Sequence, residues 1–241
     1  MNDEHGGFLI NEAYPCLQGE GRNTGMPSFL IRFQNCNLRC QFCDTPYTHT
    51  AAPDTKSDNR PEVTSLERIV AGIKRQRIIR NIIFTGGEPA LQPFQRILNS
   101  LDSSYTAEVE TNATIIPHAF ISDFKETDYE RFQWNLSPKF RHFGGKIVKR
   151  AISFWAEKSK QLEHIYFKFV VSEKRMNQDM FYILKLIQDY DLYNRQVYLM
   201  PEGTHQASQV KNRWLHDICL KFGFNYSSRL HVILFGNKRG V

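Results

Sequence analysis

Seven short apolar runs constrain the fold of this chain more than any other feature of its sequence. They are rich in β-branched and aromatic residues and are separated by polar or helix-forming segments, a pattern typical of β-strands. The predicted strands are 28–33, 81–85, 107–111, 132–137, 165–171, 196–200 and 229–235. Strands that alternate with helices pair in parallel through right-handed crossovers, so the sequence predicts an α/β fold.

Helical patterns fill several of the gaps between these runs. The clearest pattern spans 178–190, where apolar residues share one face and Asn177 is a plausible N-cap. Thr64 and Glu67 have the spacing of a capping box, which predicts a second helix beginning at Thr64. A third helix is predicted over 205–222, ending at Gly223.

The composition suits a soluble chain with a sizeable core. Of the 241 residues, 41% are hydrophobic, and no window approaches the roughly 20 apolar residues that a membrane span requires. We expect one domain over 1–241, with an N-terminal substrate-binding segment and a polar insertion at 48–62. The net charge of +6, with basic clusters at 74–80 and 146–150, permits nucleic-acid binding but also suits carboxylated small molecules.

Unusual polar clusters follow the predicted strands. The cysteine loop follows the first strand, and the strings TGGEP, ETN, SPK and MPEG close the second, third, fourth and sixth. In parallel α/β sheets and barrels, ligands bind at the carboxyl ends of the strands. The sequence therefore predicts one site built from these loops.

Three of the five cysteines lie within eight positions. Cys36, Cys40 and Cys43 have the spacing C-x3-C-x2-C, without a fourth cysteine nearby. This spacing favours a [4Fe-4S] cluster held by three thiolates, with one iron open to an exogenous ligand. A zinc site completed by His49 and three unliganded buried cysteines are the alternatives. We expect Cys16 and Cys219 to be ordinary buried residues, and the cysteine usage indicates a reducing cytoplasm.

The cysteine loop and TGGEP together resemble the radical S-adenosylmethionine superfamily. The ordered strings LQGEG, CDT, TGGEPALQ, EVETNAT, LSPK, FKFVV and LMPEG narrow the resemblance to the 7-carboxy-7-deazaguanine synthase family. The resemblance implies a carbon–nitrogen lyase that converts 6-carboxy-5,6,7,8-tetrahydropterin to 7-carboxy-7-deazaguanine with loss of ammonia, in queuosine-type biosynthesis. It also implies a [4Fe-4S] cluster, S-adenosylmethionine and Mg²⁺ as cofactors, flavodoxin or ferredoxin as electron donor, a homodimer, and no direct contact with nucleic acid.

The same resemblance assigns the site residues. Cys36, Cys40 and Cys43 match the cluster ligands, and Thr45 matches the Mg²⁺ ligand. Positions that contact S-adenosylmethionine are matched by Phe42, Cys43, Asp44, Gly87, Ser137, Pro138 and Lys139. Substrate contacts are matched by Leu17, Gln18, Gly19, Arg32 and Thr85, and the catalytic set is Gln18, Glu20, Arg32 and Thr85.

Several of these assignments also make chemical sense. Arg32 could form a forked pair with the substrate carboxylate, although an arginine in a strand is as often a solvated edge residue. Gln18 offers the donor and acceptor that the amide edge of a pterin needs, and Glu20 could pair with its guanidine-like side. His231 should face the site from the last strand, although a core histidine is as common.

Three residues depart from the family pattern. Asn35 and Ala113 stand where the family has glycine, and Phe42 replaces a common tryptophan. The polar segment after the cysteine loop replaces a crossover helix, so we expect an incomplete TIM-like barrel of the radical S-adenosylmethionine type, with about six parallel strands and an additional C-terminal strand. A glycyl-radical activase and a zinc-stabilised nucleic-acid-binding domain are the alternative functions.

Overall fold

The computed structural model describes residues 7–49, 61–117, 130–236 and 238–241, and these form one mixed sheet. Residues 50–60 of the predicted polar insertion lie outside the described ranges. The strands of the described residues are β1 (Phe8–Leu17), β2 (Pro27–Phe33), β3 (Glu62–Thr64), β4 (Asn81–Gly86), β5 (Thr106–Thr111), β6 (Phe132–Leu136), β7 (Ile165–Val171), β8 (Val197–Pro201) and β9 (Asn225–Tyr226).

The strand order is β3-β1-β2-β4-β5-β6-β7-β8-β9, and every neighbouring pair from β2 to β9 is parallel. Six of the predicted strands coincide with β2 and β4 to β8. The two edge strands, β3 and β9, do not pair with each other, so the sheet stays open. The prediction of an α/β fold with an incomplete barrel is confirmed.

Alternation along the parallel strands gives the sheet two different faces, because successive side chains of a strand point to opposite sides. One face is a continuous apolar core under the helices. It includes Ile31, Phe33, Ile82, Phe84, Val109, Trp134, Phe167 and Leu199. The other face carries polar side chains at the intervening positions, namely Arg32, Thr85, Glu108, Glu110, Asn135 and Lys168.

The helices of the described residues are α1 (Leu66–Arg75), α2 (Gln95–Asn99), α3 (Lys149–Gln161), α4 (Met176–Tyr190), α5 (Gln206–Gln209), α6 (Arg213–Phe222) and α7 (Leu230–Phe235). Helices α1 to α4 and α6 cover the apolar face. Each long helix buries one stripe, such as Ile69 and Ile73 of α1 or Ile152 and Trp155 of α3. No helix in the described part of the chain is long and apolar enough to span a membrane.

The predicted strand at 229–235 is wrong, since this run forms helix α7. A short aliphatic run has no period that separates strand from helix, so its contacts decide. The backbone N–H of Leu230 donates to the Gly19 carbonyl at 2.8 Å, which turns the run back over the loop after β1. Inside the run, Ile233 N–H donates to the Arg229 carbonyl at 3.0 Å, as a helix requires. The additional C-terminal strand is instead the short β9.

Three helix boundaries also differ from the predictions. Ser65, not Thr64, caps α1 by accepting from the Arg68 N–H at 3.3 Å, because Thr64 is the last residue of β3 and pairs with Phe8. Arg175, not Asn177, occupies the N-cap position of α4. The helix predicted over 205–222 is divided into α5 and α6 where Lys211 adopts φ 62°.

Strand β1 lies between β3 and β2 and is antiparallel to both. Its polar residues and Pro15 interrupt the apolar run that would mark a strand. Buried and partly buried residues alternate along the first half of β1, so this strand packs on the core through one of its two faces. The consequence for the site is that the LQGEG string leaves the end of β1 and runs along the polar face of the sheet.

Candidate active site

A cavity of about 540 Å³ opens on the polar face of the sheet, at the carboxyl ends of the parallel strands. This volume is in the range of small-molecule sites. Its wall is formed by the loop after β1, the cysteine loop, the TGGEP and ETN loops, Ser137, Lys139 and part of α7. The cavity therefore brings together segments from nearly the whole length of the chain.

Cys36, Cys40 and Cys43 all line this cavity, are half-buried, and form no disulfide. The backbone N–H of Leu38 donates to the Cys36 Sγ at 3.4 Å, and the Cys43 N–H donates to the Cys40 carbonyl at 3.3 Å. Burial raises the pKa of the Cys36 thiol. It also raises the pKa of Cys40, although Lys139 opposes that shift. Metal binding would therefore have to displace protons from these two thiols.

The proposed zinc ligand His49 lies beside the cysteine loop, with its Nε2 3.1 Å from the Cys43 Sγ. Among the described residues, no three His, Cys, Asp or Glu side chains are grouped as ligands of a single metal ion. A cuboidal cluster takes its thiolates on separate iron atoms, so it does not need such a group. The three thiols on one cavity wall fit a cluster of this kind.

Gly86 and Gly87 hold the cysteine loop by close backbone contact. A Cβ atom on Gly87 would lie 1.9 Å from the Asn35 carbonyl oxygen, and one on Gly86 would lie 2.2 Å from the Phe33 oxygen. The N–H of Gly87 donates to that Phe33 oxygen at 3.0 Å, and the N–H of Glu88 donates to the Asn35 oxygen at 2.8 Å. The glycines thus allow one loop to pack on the other, besides lining the cavity.

The ETN loop is tied to both of its neighbours. Buried Glu88 accepts from the Thr111 hydroxyl at 2.6 Å and from the Asn112 N–H at 2.7 Å. Asn112 Nδ2 in turn donates to Asn37 Oδ1 of the cysteine loop at 2.9 Å. Burial raises the pKa of Glu88, while these hydrogen bonds oppose that shift. The three loops at this edge form one hydrogen-bonded unit.

Two of the departures from the family pattern keep the backbone that glycine would adopt. Asn35 has φ 74° and Ala113 has φ 59°, both in the left-handed region that favours glycine. Asparagine tolerates this conformation well, whereas alanine does so at a cost. Both loops therefore adopt, without glycine, a backbone conformation that glycine favours.

The positions expected to contact S-adenosylmethionine are mostly brought together. Those that line the cavity are Phe42, Cys43, Asp44, Gly87, Ser137 and Lys139. Pro138 is buried and lies outside the cavity wall. The Phe42 ring is 56% exposed and stacks under the Arg175 guanidinium, whose carbon lies 4.7 Å from the ring centroid. Asp44 accepts a hydrogen bond from Arg229.

The positions expected to contact the substrate lie on the same cavity and are Leu17, Gln18, Gly19, Arg32 and Thr85. Glu20 of the expected catalytic set lines it too. The Gln18 amide is already engaged within the protein. Its Nε2 donates to Glu108 Oε2 at 2.8 Å, and its Oε1 accepts from the Glu20 N–H at 3.2 Å. Glu108 orients the Gln18 amide, and it also accepts hydrogen bonds from the side-chain amides of Asn23, Asn81, Gln133 and Asn135.

Arg32 is paired with a residue that the sequence analysis did not single out. Its Nε donates to Glu12 Oε2 at 2.6 Å, and Arg239 also binds Glu12 at 2.9 Å. Burial disfavours the charged guanidinium, but Tyr47 and Glu12 outweigh this effect, and the pKa of Arg32 is raised. Arg32 therefore stays charged at the cavity, with N–H groups beyond the one that Glu12 uses.

Glu20 belongs to a buried charge network that crosses the cavity. Lys168 Nζ lies 2.6 Å from Glu20 and 2.5 Å from Glu110, and Arg229 Nε lies 3.0 Å from Glu20. Burial alone would raise the pKa of Glu20, yet Lys168 and Arg229 outweigh it and lower that pKa. Burial raises the pKa of Glu110, with Lys168 opposing. The sequence analysis missed Lys168, Glu110 and Arg229. Lys168 in β7 and Glu110 in β5 could have been found from the sequence, because each is a polar residue at an alternate position of an apolar strand.

His231 lies on helix α7, not on a strand, and it still lines the cavity. A Cβ atom on Gly19 would stand 2.1 Å from its Nδ1, so the glycine of LQGEG makes room for this ring. Burial lowers the pKa of His231, while Glu20 acts in the opposite direction.

Thr45 begins the 3-10 turn Pro46–Thr48, and its carbonyl accepts from the Thr48 N–H at 3.0 Å. Its hydroxyl makes no capping bond, lies 3.7 Å from the Cys43 Sγ, and borders the cavity. Thr45 therefore begins a turn, and its hydroxyl lies on the side of the cavity where Cys43 is.

Comparison with known proteins gives a consistent picture. Residues 30–136 match the model of the radical SAM superfamily. The 7-carboxy-7-deazaguanine synthase of Rhodopirellula baltica is 30% identical, over 97% of this chain and 89% of the relative. The synthase of Halobacterium salinarum is 30% identical, over 95% and 90%. The crystal structure of QueE from Escherichia coli shares the fold, with a TM-score of 0.67 at 23% identity, over 93% of this chain and 95% of that one.

Proposed function

This chain belongs to the 7-carboxy-7-deazaguanine synthase family of radical SAM enzymes, and we propose that it converts 6-carboxy-5,6,7,8-tetrahydropterin to 7-carboxy-7-deazaguanine with release of ammonia. One observation carries this proposal. A single cavity joins three free cysteines with Gly87, Ser137 and Lys139 at one side and the LQGEG loop with Arg32 and Thr85 at the other. The proposed cluster site and the proposed substrate site therefore share one cavity.

We propose that Cys36, Cys40 and Cys43 hold a [4Fe-4S] cluster and that Phe42, Asp44, Gly87, Ser137, Pro138 and Lys139 hold S-adenosylmethionine. When bound, these groups supply a 5′-deoxyadenosyl radical that abstracts hydrogen from the substrate. The chain itself holds and screens them. The Gly86–Gly87 contact fixes the course of the cysteine loop, and the three half-buried thiols line the cavity.

We propose that Arg32 binds the substrate carboxylate. Glu12 holds the guanidinium through Nε at 2.6 Å, which orients it and leaves other N–H groups for a second anion. Gln18 Oε1 has a second lone pair for a pterin N–H, because it accepts only the Glu20 N–H within the described structure. Glu20 and Thr85 would complete the contacts. This orientation sets which hydrogen of the pterin faces the radical.

We propose that the Thr45 hydroxyl helps to bind Mg²⁺ together with the substrate carboxylate. Mg²⁺ commonly takes one or two protein oxygens and keeps several waters, so one hydroxyl and one carboxylate suffice. The position of Thr45 between Cys43 and the cavity supports this role.

The finer partner assignments are also proposals. Five free cysteines fit a reducing cytoplasm, and we propose flavodoxin or ferredoxin as the electron donor. We propose a homodimer, supported by the exposed side chains of Leu17, Leu234 and Phe235 along a second, apolar groove. A solution mass equal to one chain would contradict the dimer.

The decisive experiment is anaerobic incubation of the reconstituted protein with the carboxylated tetrahydropterin, S-adenosylmethionine, Mg²⁺ and dithionite. We expect about four irons per chain and a product with the mass of 7-carboxy-7-deazaguanine. One equivalent of zinc without iron would instead favour the zinc-stabilised nucleic-acid-binding domain. Cleavage of S-adenosylmethionine that never yields the deazaguanine would reopen the activase alternative.

A further inference from the structure

A strongly basic segment follows the SPK string. Five of the twelve residues from 139 to 150 are lysine or arginine, and no acidic residue occurs from 131 to 156. Arg141, Lys146, Lys149 and Arg150 are exposed, and so is Arg39 of the cysteine loop. Lys139 belongs to the proposed S-adenosylmethionine site, whereas the exposed residues have no role in the function proposed above.

These residues lie at the edge of the sheet where the cysteines are. The segment leaves the carboxyl end of β6, and helix α3 begins at Lys149. A Cβ atom on Gly144 would stand 3.0 Å from the Arg39 carbonyl oxygen and 3.5 Å from the Gln41 nitrogen. Gly144, in the middle of this segment, therefore packs against the cysteine loop at residues 39–41. We call Arg39, Arg141, Lys146, Lys149 and Arg150 the basic rim.

Four of the five rim residues, those of segment 141–150, have no visible role in folding, whereas Arg39 donates to the backbone carbonyls of Cys36 at 2.7 Å and Leu38 at 2.9 Å. Helix α3 has no acidic residue in its first turn and no side-chain cap, and it opens with two cations where the helix dipole disfavours positive charge. Within the described ranges, salt bridges join other residues and none involves Arg141, Lys146, Lys149 or Arg150. An unneutralised cluster of this kind points to an anionic partner.

We propose that the basic rim is the docking surface for an acidic one-electron carrier protein that reduces the cluster. This inference rests on the proposed function, in which the cluster must receive an electron before S-adenosylmethionine is cleaved. One electron leaves the reduced carrier, which is thereby oxidised, and enters the cluster. No bond is formed or broken and no proton is transferred. Electron transfer needs close approach, and the rim borders the loop that would hold the cluster. A nucleic acid bound there would have no reason to affect cluster reduction.

The test compares two variants of equal charge. The first variant, Lys146→Glu/Lys149→Glu/Arg150→Glu, reverses the charge of three rim residues. The second, Lys74→Glu/Arg75→Glu/Arg77→Glu, reverses the same number of charges in the other exposed basic cluster. That cluster lies where α1 ends and leads to the amino end of β4. It is therefore at the amino ends of the parallel strands, whereas the rim is at their carboxyl ends. Both variants are reconstituted with the cluster, and its reduction is followed anaerobically by absorbance and by electron paramagnetic resonance.

The probe is a fully reduced acidic flavodoxin, with dithionite as the small reductant. We expect the rim variant to react with flavodoxin about 10- to 100-fold more slowly at low salt, since steering charges act at this scale. The deficit should shrink at about 0.5 M salt because screening removes it. The control variant should differ from the unmodified protein by less than about threefold, since its charges lie far from the docking surface. Reduction by dithionite and iron content should be equal in all three proteins.

Equal flavodoxin rates for the two variants would overturn the proposal, whether both fall or neither does. If the rim variant loses iron, the triple glutamine variant at the same positions replaces it, with an intermediate rate expected. Weakened binding of an RNA probe with unchanged flavodoxin rates would assign the rim to nucleic acid and refute the carrier. Failure to form the deazaguanine with dithionite would refute the proposed function alone, because the reduction rates are measured without substrate.

Discussion

Lys168 should be the most sensitive charged residue of the cavity to substitution. Its side chain is 4% exposed and lies 2.6 Å from Glu20 and 2.5 Å from Glu110. In Lys168→Met, Glu20 keeps Arg229 at 3.0 Å, whereas Glu110 keeps only the neutral amide of Asn135, also at 3.0 Å, within the described structure. Breaking a buried pair by removing one partner typically costs about 3 to 5 kcal/mol, and we expect a loss of that size in the free energy of unfolding.

The loss should depend on pH in a defined direction. Burial opposes ionisation of Glu20, but Lys168 and Arg229 lower its pKa, so the stability from this pair is present above the ordinary pKa of glutamate. It disappears as the pH falls through the lowered pKa. Without Lys168 the buried carboxyls take up protons at higher pH, which relieves the unpaired charge. The difference between variant and unmodified protein should therefore be largest near neutral pH and shrink toward about pH 4 to 5.

Urea unfolding of the two proteins, monitored anaerobically by circular dichroism at several pH values, measures this difference. Lys185→Met is the matched control, because Lys185 pairs with Asp189 at 3.1 Å on the surface with both side chains about half exposed. Such a pair contributes about 0.5 kcal/mol or less. Adding Glu110→Gln to Lys168→Met should recover about 1 to 2 kcal/mol by removing the unpaired charge. A Lys168→Met loss no larger than the control's, or one that grows toward acid, would refute the reasoning.

Four further predictions concern the site. Cys40→Ala should abolish reductive cleavage of S-adenosylmethionine while Cys219→Ala retains it, and full cleavage by the first variant would overturn the cluster assignment. Arg32→Ala should weaken carboxypterin binding by about 2 to 5 kcal/mol in anaerobic calorimetry and spare uncoupled cofactor cleavage, so an unchanged affinity excludes Arg32 as the carboxylate partner. Thr45→Val should bind cluster and cofactor normally but lose Mg²⁺ stimulation of turnover, and a normal response to Mg²⁺ would contradict the metal role. Gly87→Ala should lower iron incorporation, because the new Cβ would meet the Asn35 oxygen at 1.9 Å. Gly72→Ala is the control and should not lower it, since the nearest atom to its Cβ lies at 3.8 Å. Equal iron contents in the two variants would show that the close loop contact is dispensable.

Local pattern was sufficient for the strongly apolar strands and for the C-terminal end of α6. The runs that became β2 and β4 to β8 are apolar enough to be recognised singly, and Gly223 ends α6 as predicted, with φ 68°. Such signals depend on residues a few positions apart. The run 229–235 lacks a distinguishing period, so only its contact with Gly19 decided between strand and helix.

The amino-acid sequence by itself also determined that three thiols lie close together, because Cys36, Cys40 and Cys43 belong to one short loop. It did not determine which polar groups are paired with each other. Glu20 is 148 positions from Lys168 and 209 from Arg229, and Gln18 is 90 positions from Glu108. These partners meet only because the register of the parallel strands aligns their polar face and α7 folds over the loop after β1. Charge pairing across such separations depends on the assembled sheet, and no short-range pattern encodes it.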